Sequence, residues 1–369
     1  MNKYFDTFYD WWKNIDKSIF LIISILFSLG LFFSLVSTSI IASDKLSTNS
    51  YYFFLKHFAF IFVGILLILF FSLLNQKLLL NLSILLFLLS FISLLLVPLF
   101  GIEVKGSKRW LDIAVLPRFQ PIEGLKPFFV IIISLILSLE KKNLYFKYFL
   151  SSAILVPTLI LLLSQPDLGQ TLLLTTVWLA IIFVSGINLL LFSISLITIF
   201  SLTFYLIFFV SKFEYIKIRI IAFLNTSGGN NYQADRASEA ISGGGFFGKG
   251  IGEGTLNSKI PEAHTDYIMS VISEEFGVII FVFIILLYLI FSYRVIKKIN
   301  LVEDTNSKLI LVGSITIILV QSFIHIGVNI RMLPTTGMTM PFISYGGSSI
   351  MGTSILAGII LNLTKRKLG

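Results

Sequence analysis

Residues 78–99 read LLLNLSILLFLLSFISLLLVPL, 22 positions without one charged side chain. Wound as a helix, that length covers the roughly 30 Å hydrocarbon core of a bilayer. The pattern repeats along the chain. Comparable runs fall at about Ile19 to Ala42, Phe58 to Leu74, Leu125 to Leu139, Phe149 to Leu163, Thr171 to Ser185, Leu189 to Val210, Phe276 to Tyr293, Ile310 to Ile330 and Phe342 to Leu363. Apolar residues make up 56% of the 369 positions and charged residues 13%, against roughly half and a quarter in soluble domains. The expected fold class is therefore an all-α membrane protein, a polytopic bundle of about ten transmembrane helices. Residues 1–369 form a single domain in this reading, with a large loop over 211–266 between helices 7 and 8.

Composition closes several other routes. The chain has no cysteine, which rules out disulfides and thiolate metal sites. His57, His264 and His325 lack metal-ligand spacing, which argues against zinc. The net charge of +9 sits in short basic blocks between apolar runs, where anionic membrane lipid is the natural partner and nucleic acid is not. The segment Met1 to Lys17 is aromatic and mixed in charge, and it reads as an interfacial stub.

Ten crossings put both termini on one side. That side carries the stub, Lys77, Lys141, Lys142, Lys147, Arg294, Lys297, Lys298, Lys308 and the tail Lys365 to Lys367, fourteen of the 28 basic residues on short flanks. The positive-inside rule makes it cytoplasmic. The longer loops at 101–124 and 211–266 are then external. Within the second, KIRIIAFL (217–224) reads as an interfacial helix and YQADRASEAI (232–241) as another short one.

Polar constellations gather at that external face. Lys108, Arg109, Arg118 and Lys126 are suited to a phosphate, and Trp110 to the headgroup level. Lys126 is the most pointed, because a helix starting near Pro121 carries it into the membrane, where it must find a partner or snorkel. In QPDLGQ (165–170), Asp167 reads as a helix cap or as a catalytic acid. The cluster SGGGFFGKGIG (242–252) has P-loop spacing, but Gly250 stands where magnesium would need Ser or Thr, so a close-packed or flexible turn is expected. In PEAHTDY (261–267), Glu262 and Asp266 would share a face if helical, making Asp266 a general-base candidate. Glu274 and Glu275 are expected at the membrane boundary. Ser344 and Ser348, in PFISYGGSS (341–349), are expected in irregular backbone lining a cavity or in close helix packing.

GSKRWL, FQPIEGLK, QPDLGQ, SGGGFFGKGIGEG, IPEAHTDYI, SEEFG and PFISYGGSS, taken in order, closely resemble the SEDS family of peptidoglycan glycosyltransferases, and Ala263 is more like its division branch than its elongation branch. One departure is Ile122, where the family commonly has Ser. The resemblance implies a ten-helix fold in the bacterial inner membrane, located at the division septum. It implies lipid II as substrate, and a class B penicillin-binding protein transpeptidase and other division proteins as partners. It carries the essential aspartate onto Asp266 and substrate-binding roles onto Lys108, Arg109, Trp110, Glu123, Lys126, Asp167, Glu262, His264, Ser344 and Ser348. A divalent cation, Mg or Mn, at Glu262 and Asp266 is a further reading. The rival classes are a lipid II flippase, which needs polar groups on both sides of the midplane, and a non-catalytic scaffold, which has no use for Asp266.

Overall fold

The computed structural model describes residues 9–38, 51–104, 107–113, 117–140, 142–224, 232–259 and 263–365, with only the backbone described at Ser37, Thr38, Lys212, Asn257 and Ser258. Each expected span has its helix. The first seven are α1 (Lys17–Phe33), α2 (Tyr52–Leu73), α3 (Gln76–Phe100), α4 (Pro121–Leu137), α5 (Leu144–Ser164), α6 (Leu168–Val184) and α7 (Leu189–Phe209). The long segment that follows carries α8 (Glu214–Leu224), α9 (Tyr232–Gly244) and the single turn α10 (Leu256–Lys259). The last three are α11 (Ile268–Ile299), α12 (Thr305–Asn329) and α13 (Gly347–Leu363). Among the described residues seven helices are long and apolar enough to cross a membrane by length and composition, whereas α4, α6 and α13 have 17 residues each. The chain is a multi-pass helical membrane protein.

Sequence chemistry sets the helix ends. Pro121 opens α4, where its missing N–H costs nothing, and Asp304 caps α12 by accepting from the Ser307 amide at 3.0 Å. Several ends differ from expectation. Helix α1 stops at Phe33 and continues as a π turn, Ser34–Thr38. Helix α13 starts at Gly347, because residues 340–345 form a turn. Helix α11 starts eight residues early, at Ile268, and is broken at Gly277, with φ 82° and ψ 176°.

That break is built by the glycine cluster. The backbone of 245–250 lies against residues 274–278, with Lys249 N donating to Glu274 O at 2.9 Å and Val278 N to Gly245 O at 2.9 Å. A Cβ at Gly277 would collide with the Phe246 carbonyl, and one at Gly248 with the Glu275 carbonyl. Glu274 and Glu275 are thus not at an open boundary. Both are 1% exposed, and the Glu274 carboxylate accepts from Lys249 Nζ at 2.7 Å and the Leu256 amide at 2.9 Å. The cluster approaches protein backbone, as a clasp on the outer turns of α11.

The core lies where α4, α6, α12 and α13 meet. Helix α7, by contrast, buries no residue and faces lipid along its length. Glycines permit the close approach in the core, since a side chain at Gly352 of α13 would strike the Glu123 carbonyl of α4 and one at Gly313 of α12 would strike Val130 and Ile181. Inside this core Lys126, 1% exposed, pairs with Glu123 at 2.7 Å and donates to Gln321 Oε1 at 2.9 Å. Gln170 Nε2 donates to the other Glu123 oxygen at 2.7 Å. Lys126 does not snorkel, because four helices close over it.

Two outcomes follow from this packing. Gly277→Ala forces a side chain into a glycine-only conformation and should lower stability by about 3 kcal/mol, read as a drop in thermal unfolding temperature in detergent. Lys126→Met strands a buried carboxylate and should cost about 3–5 kcal/mol, while adding Glu123→Gln recovers most of the loss on the same thermal scale.

Candidate functional site

Asp266 lies in a non-helical turn, residues 263–267, that leads into α11. The helical pairing expected of it with Glu262 therefore does not form on α11, and Glu262 itself lies outside the described residues. The turn is not helical because its carbonyls are committed elsewhere. Tyr345 N donates to His264 O at 3.3 Å, Ser344 Oγ to Thr265 O at 2.7 Å, and Asn329 Nδ2 to Asp266 O at 3.0 Å. Asn329, fully buried at the end of α12, also accepts from Ser270 N at 3.0 Å and Ser270 Oγ at 2.6 Å. One amide thus fixes both the Asp266 backbone and the first turn of α11. Gly337, at φ 72°, sits beside the half-buried carboxylate: a Cβ there would stand 3.5 Å from Asp266 Oδ2. Burial, with the Asp266 charge adding to it, pushes the neighbouring Tyr267 phenol up, so it remains protonated. His264 packs against Phe53 and Tyr345, with ring centroids 5.8 and 5.7 Å away.

A second polar cluster forms around Asp167. A hairpin, β1 (Ile102–Val104) with β2 (Ser107–Trp110), and a bridge between Leu111 and Phe119 aim Arg109 at the 165–167 turn. Arg109 Nε donates to Gln165 O at 3.0 Å, a second guanidinium nitrogen donates to Pro166 O, and Nη1 lies 3.8 Å from Asp167 Oδ1. Gln120 Nε2 donates to Asp167 Oδ2 at 3.0 Å, and Gln120 N to Ser348 Oγ at 3.0 Å. Asp167 also caps α6 through the Gln170 amide, so cap and polar-site member are one residue. Burial pushes its carboxyl up, and Arg109 opposes that. Arg219, on α8, lies near enough to Arg109 and Asp167 to sense both; burial and then the Arg109 charge push its guanidinium down.

The two clusters share a wall, residues 336–339. Gly169 packs on Thr336 and Met338, Gly337 faces Asp266, and the Met338 carbonyl bonds His325 Nδ1 at 2.8 Å. Thr339 O accepts from Gln321 Nε2 at 3.0 Å, and Thr339 Oγ1 lies 2.7 Å from Ser349 Oγ. The Lys126 pair therefore stands behind the strand whose front touches Asp266.

The structure groups Arg109, Glu123, Lys126, Asp167 and Ser348 on one side of this wall, and His264, Asp266 and Ser344 on the other. Lys108 is exposed on the hairpin opposite Glu103, and Trp110 is half-buried opposite Ile102. The sequence reading passed over Arg219, Gln321, Asn329 and Thr339. A signal existed for two of them: Gln321, His325 and Asn329 recur every fourth position in an apolar helix, placing three polar groups on one face inside a membrane. Among the described residues no three His, Asp or Glu side chains come together as metal ligands, and Glu262, one of the two donors expected for a cation, lies outside those residues.

Comparison with known proteins is consistent over nearly the whole chain. The protein is 30% identical over 371 residues to a probable peptidoglycan glycosyltransferase FtsW of Caulobacter vibrioides, covering 97% of this chain and 91% of that one. It is 33% identical to the protein of the same name from Coxiella burnetii, covering 92% and 93%. Its fold matches a chain of a peptidoglycan synthase complex that coordinates polymerization and crosslinking, with a TM-score of 0.77 at 23% identity and 95% and 97% coverage. It also matches the rod shape determining protein RodA of Thermus thermophilus, with a TM-score of 0.68 at 22% identity over 95% and 96%. The family model of the FtsW, RodA and SpoVE cell cycle proteins matches residues 16–368, and the chain belongs to that family.

Proposed function

We propose that this chain is a peptidoglycan glycosyltransferase that polymerises lipid II into glycan strands for the division septum, with Asp266 as general base. The observation that carries the reading is the half-buried Asp266 carboxylate, its backbone held by Asn329 and Gly337 standing beside it. In the reaction the carboxylate accepts the proton of the acceptor GlcNAc 4-hydroxyl as that oxygen attacks the anomeric carbon of the donor. Undecaprenyl pyrophosphate leaves as the glycosidic bond forms. Asp266 precedes the N-terminus of α11, whose dipole favours its ionised form.

The arginines suit the leaving group. Arg109 and Arg219 flank Asp167 on the side nearest the headgroups, and a pyrophosphate there would meet two guanidinium groups already crowded together. Lys126 is assigned a positioning role, because its ammonium is spent on Glu123 and Gln321 and supports the Thr339 strand from behind. Ser344 likewise positions Asp266 through the Thr265 carbonyl. Trp110, His264 and Ser348 are assigned to the rim around the sugar, and Lys108 to the headgroup surface. The basic-residue count puts both termini in the cytoplasm and the site outside. The relatives named FtsW favour the septum, and the match to a synthase complex favours a class B penicillin-binding protein as partner, among other division proteins.

The test is labelled lipid II given to the purified chain with its partner. The wild type should make glycan polymer, and Asp266→Asn should slow it by roughly 10²–10⁴-fold at an unchanged unfolding temperature. Polymer at the wild-type rate from Asp266→Asn contradicts the role, and transport of lipid II without polymer favours the flippase.

A further inference from the structure

A cavity of about 360 Å³ opens between the start of α1 and the end of α11, walled by Lys13, Asp16, Lys17, Arg294, Lys297 and Lys298. It is remote from the site above. Twenty residues of α11 separate Gly277 from Lys297, a rise of about 30 Å, and Asp266 lies beyond the far end of that helix.

Its charge is unbalanced in a specific way. The one acid named on its wall is already committed: Asp16 accepts from the amides of Ser18 at 3.0 Å and Ile19 at 3.2 Å as the cap of α1, and pairs with Lys298 at 3.2 Å. Lys17 lies over the Trp12 ring, 5.6 Å from its centroid. Lys13, Arg294 and Lys297 have no ion-pair partner among the described residues. Three unneutralised cations around one concavity repel each other unless an anion joins them.

The surroundings say which anion. Leu286, Ile290, Arg294 and Lys297 recur at helical spacing down one face of α11, and Leu286 and Ile290 are both 48% exposed. On α1, Leu21 stands one turn beyond Lys17 and is 59% exposed. A basic cavity is therefore continuous with an apolar, lipid-facing stripe, which fits a ligand with a phosphate at one end and acyl chains at the other. We infer that this cavity is a binding site for the headgroup of an anionic phospholipid, its phosphate held by Lys13, Arg294 and Lys297 and its chains laid along Leu286 and Ile290. The volume lies in the range of small-molecule sites. Under the topology proposed above the lipid belongs to the cytoplasmic leaflet, but the site itself is independent of the polymerase reading.

The full chain in detergent, titrated with dioleoylphosphatidylglycerol, dioleoylphosphatidylcholine or inorganic phosphate and read by native mass spectrometry and thermal shift, tests it without any lipid II. The anionic lipid should bind at least tenfold more tightly than the zwitterionic one, by roughly the per-charge effect of a basic segment on anionic lipid. Inorganic phosphate at the same concentration should not displace it. Lys13→Gln, Arg294→Gln and Lys297→Gln together should remove the preference, and none of the three breaks an ion pair among the described residues. Should the triple variant fail to fold, the wild-type comparison and Lys297→Gln alone, with a partial loss, decide. Equal binding of the two lipids, an undiminished preference in the variants, or displacement by inorganic phosphate overturns the inference.

Discussion

An ammonium buried among membrane helices is tolerable only with partners, and Lys126 has two, the Glu123 carboxylate and the Gln321 amide. Satisfying them ties α4 to α12, and Gln170 ties α6 to the same carboxylate. Gln321 then passes the constraint to the Thr339 carbonyl, which fixes residues 336–339 and sets Gly337 beside Asp266. The order around Asp266 is thus inherited from a charge pair in the core. Replacing that pair with apolar residues would suit the bilayer but would leave the Gln321 amide that holds Thr339 without its lysine partner.

Two other devices act on Asp266 from its own side. Asn329 holds the carbonyl of the turn and the first amides of α11 with one side chain. The glycine clasp holds the outer turns of α11 by backbone bonds and by the Glu274 carboxylate, so the helix enters the site at a set angle. Both reduce the freedom of one carboxylate, which is what positioning for proton transfer needs.

The ten apolar runs were legible because bilayer thickness sets their length, and no pairing information is required to see them. Helix ends were less so. The early start of α11 escaped notice because Glu274 and Glu275 read as a membrane boundary, whereas a loop about 25 residues upstream supplies the amides and the lysine that bury them. The turn at 263–267 was hidden for the same reason, since Ser344 and Tyr345, some 80 positions away, claim the carbonyls of Thr265 and His264. Arg109 on Asp167, Gln321 on Lys126 and Asn329 on Asp266 are contacts between distant segments that no periodicity encodes. What sequence did carry was residue type: every one of these groups is polar in an apolar neighbourhood.

The central claim is that Asp266 works ionised, as the acceptor of the sugar hydroxyl proton. The pH dependence of lipid II polymerisation tests it most directly. A base that must be deprotonated makes the rate fall as pH falls through its pKa, so the wild type should show an acidic limb and the residual rate of Asp266→Asn should be flat over the same interval. An acidic limb that survives unchanged in Asp266→Asn would contradict the account.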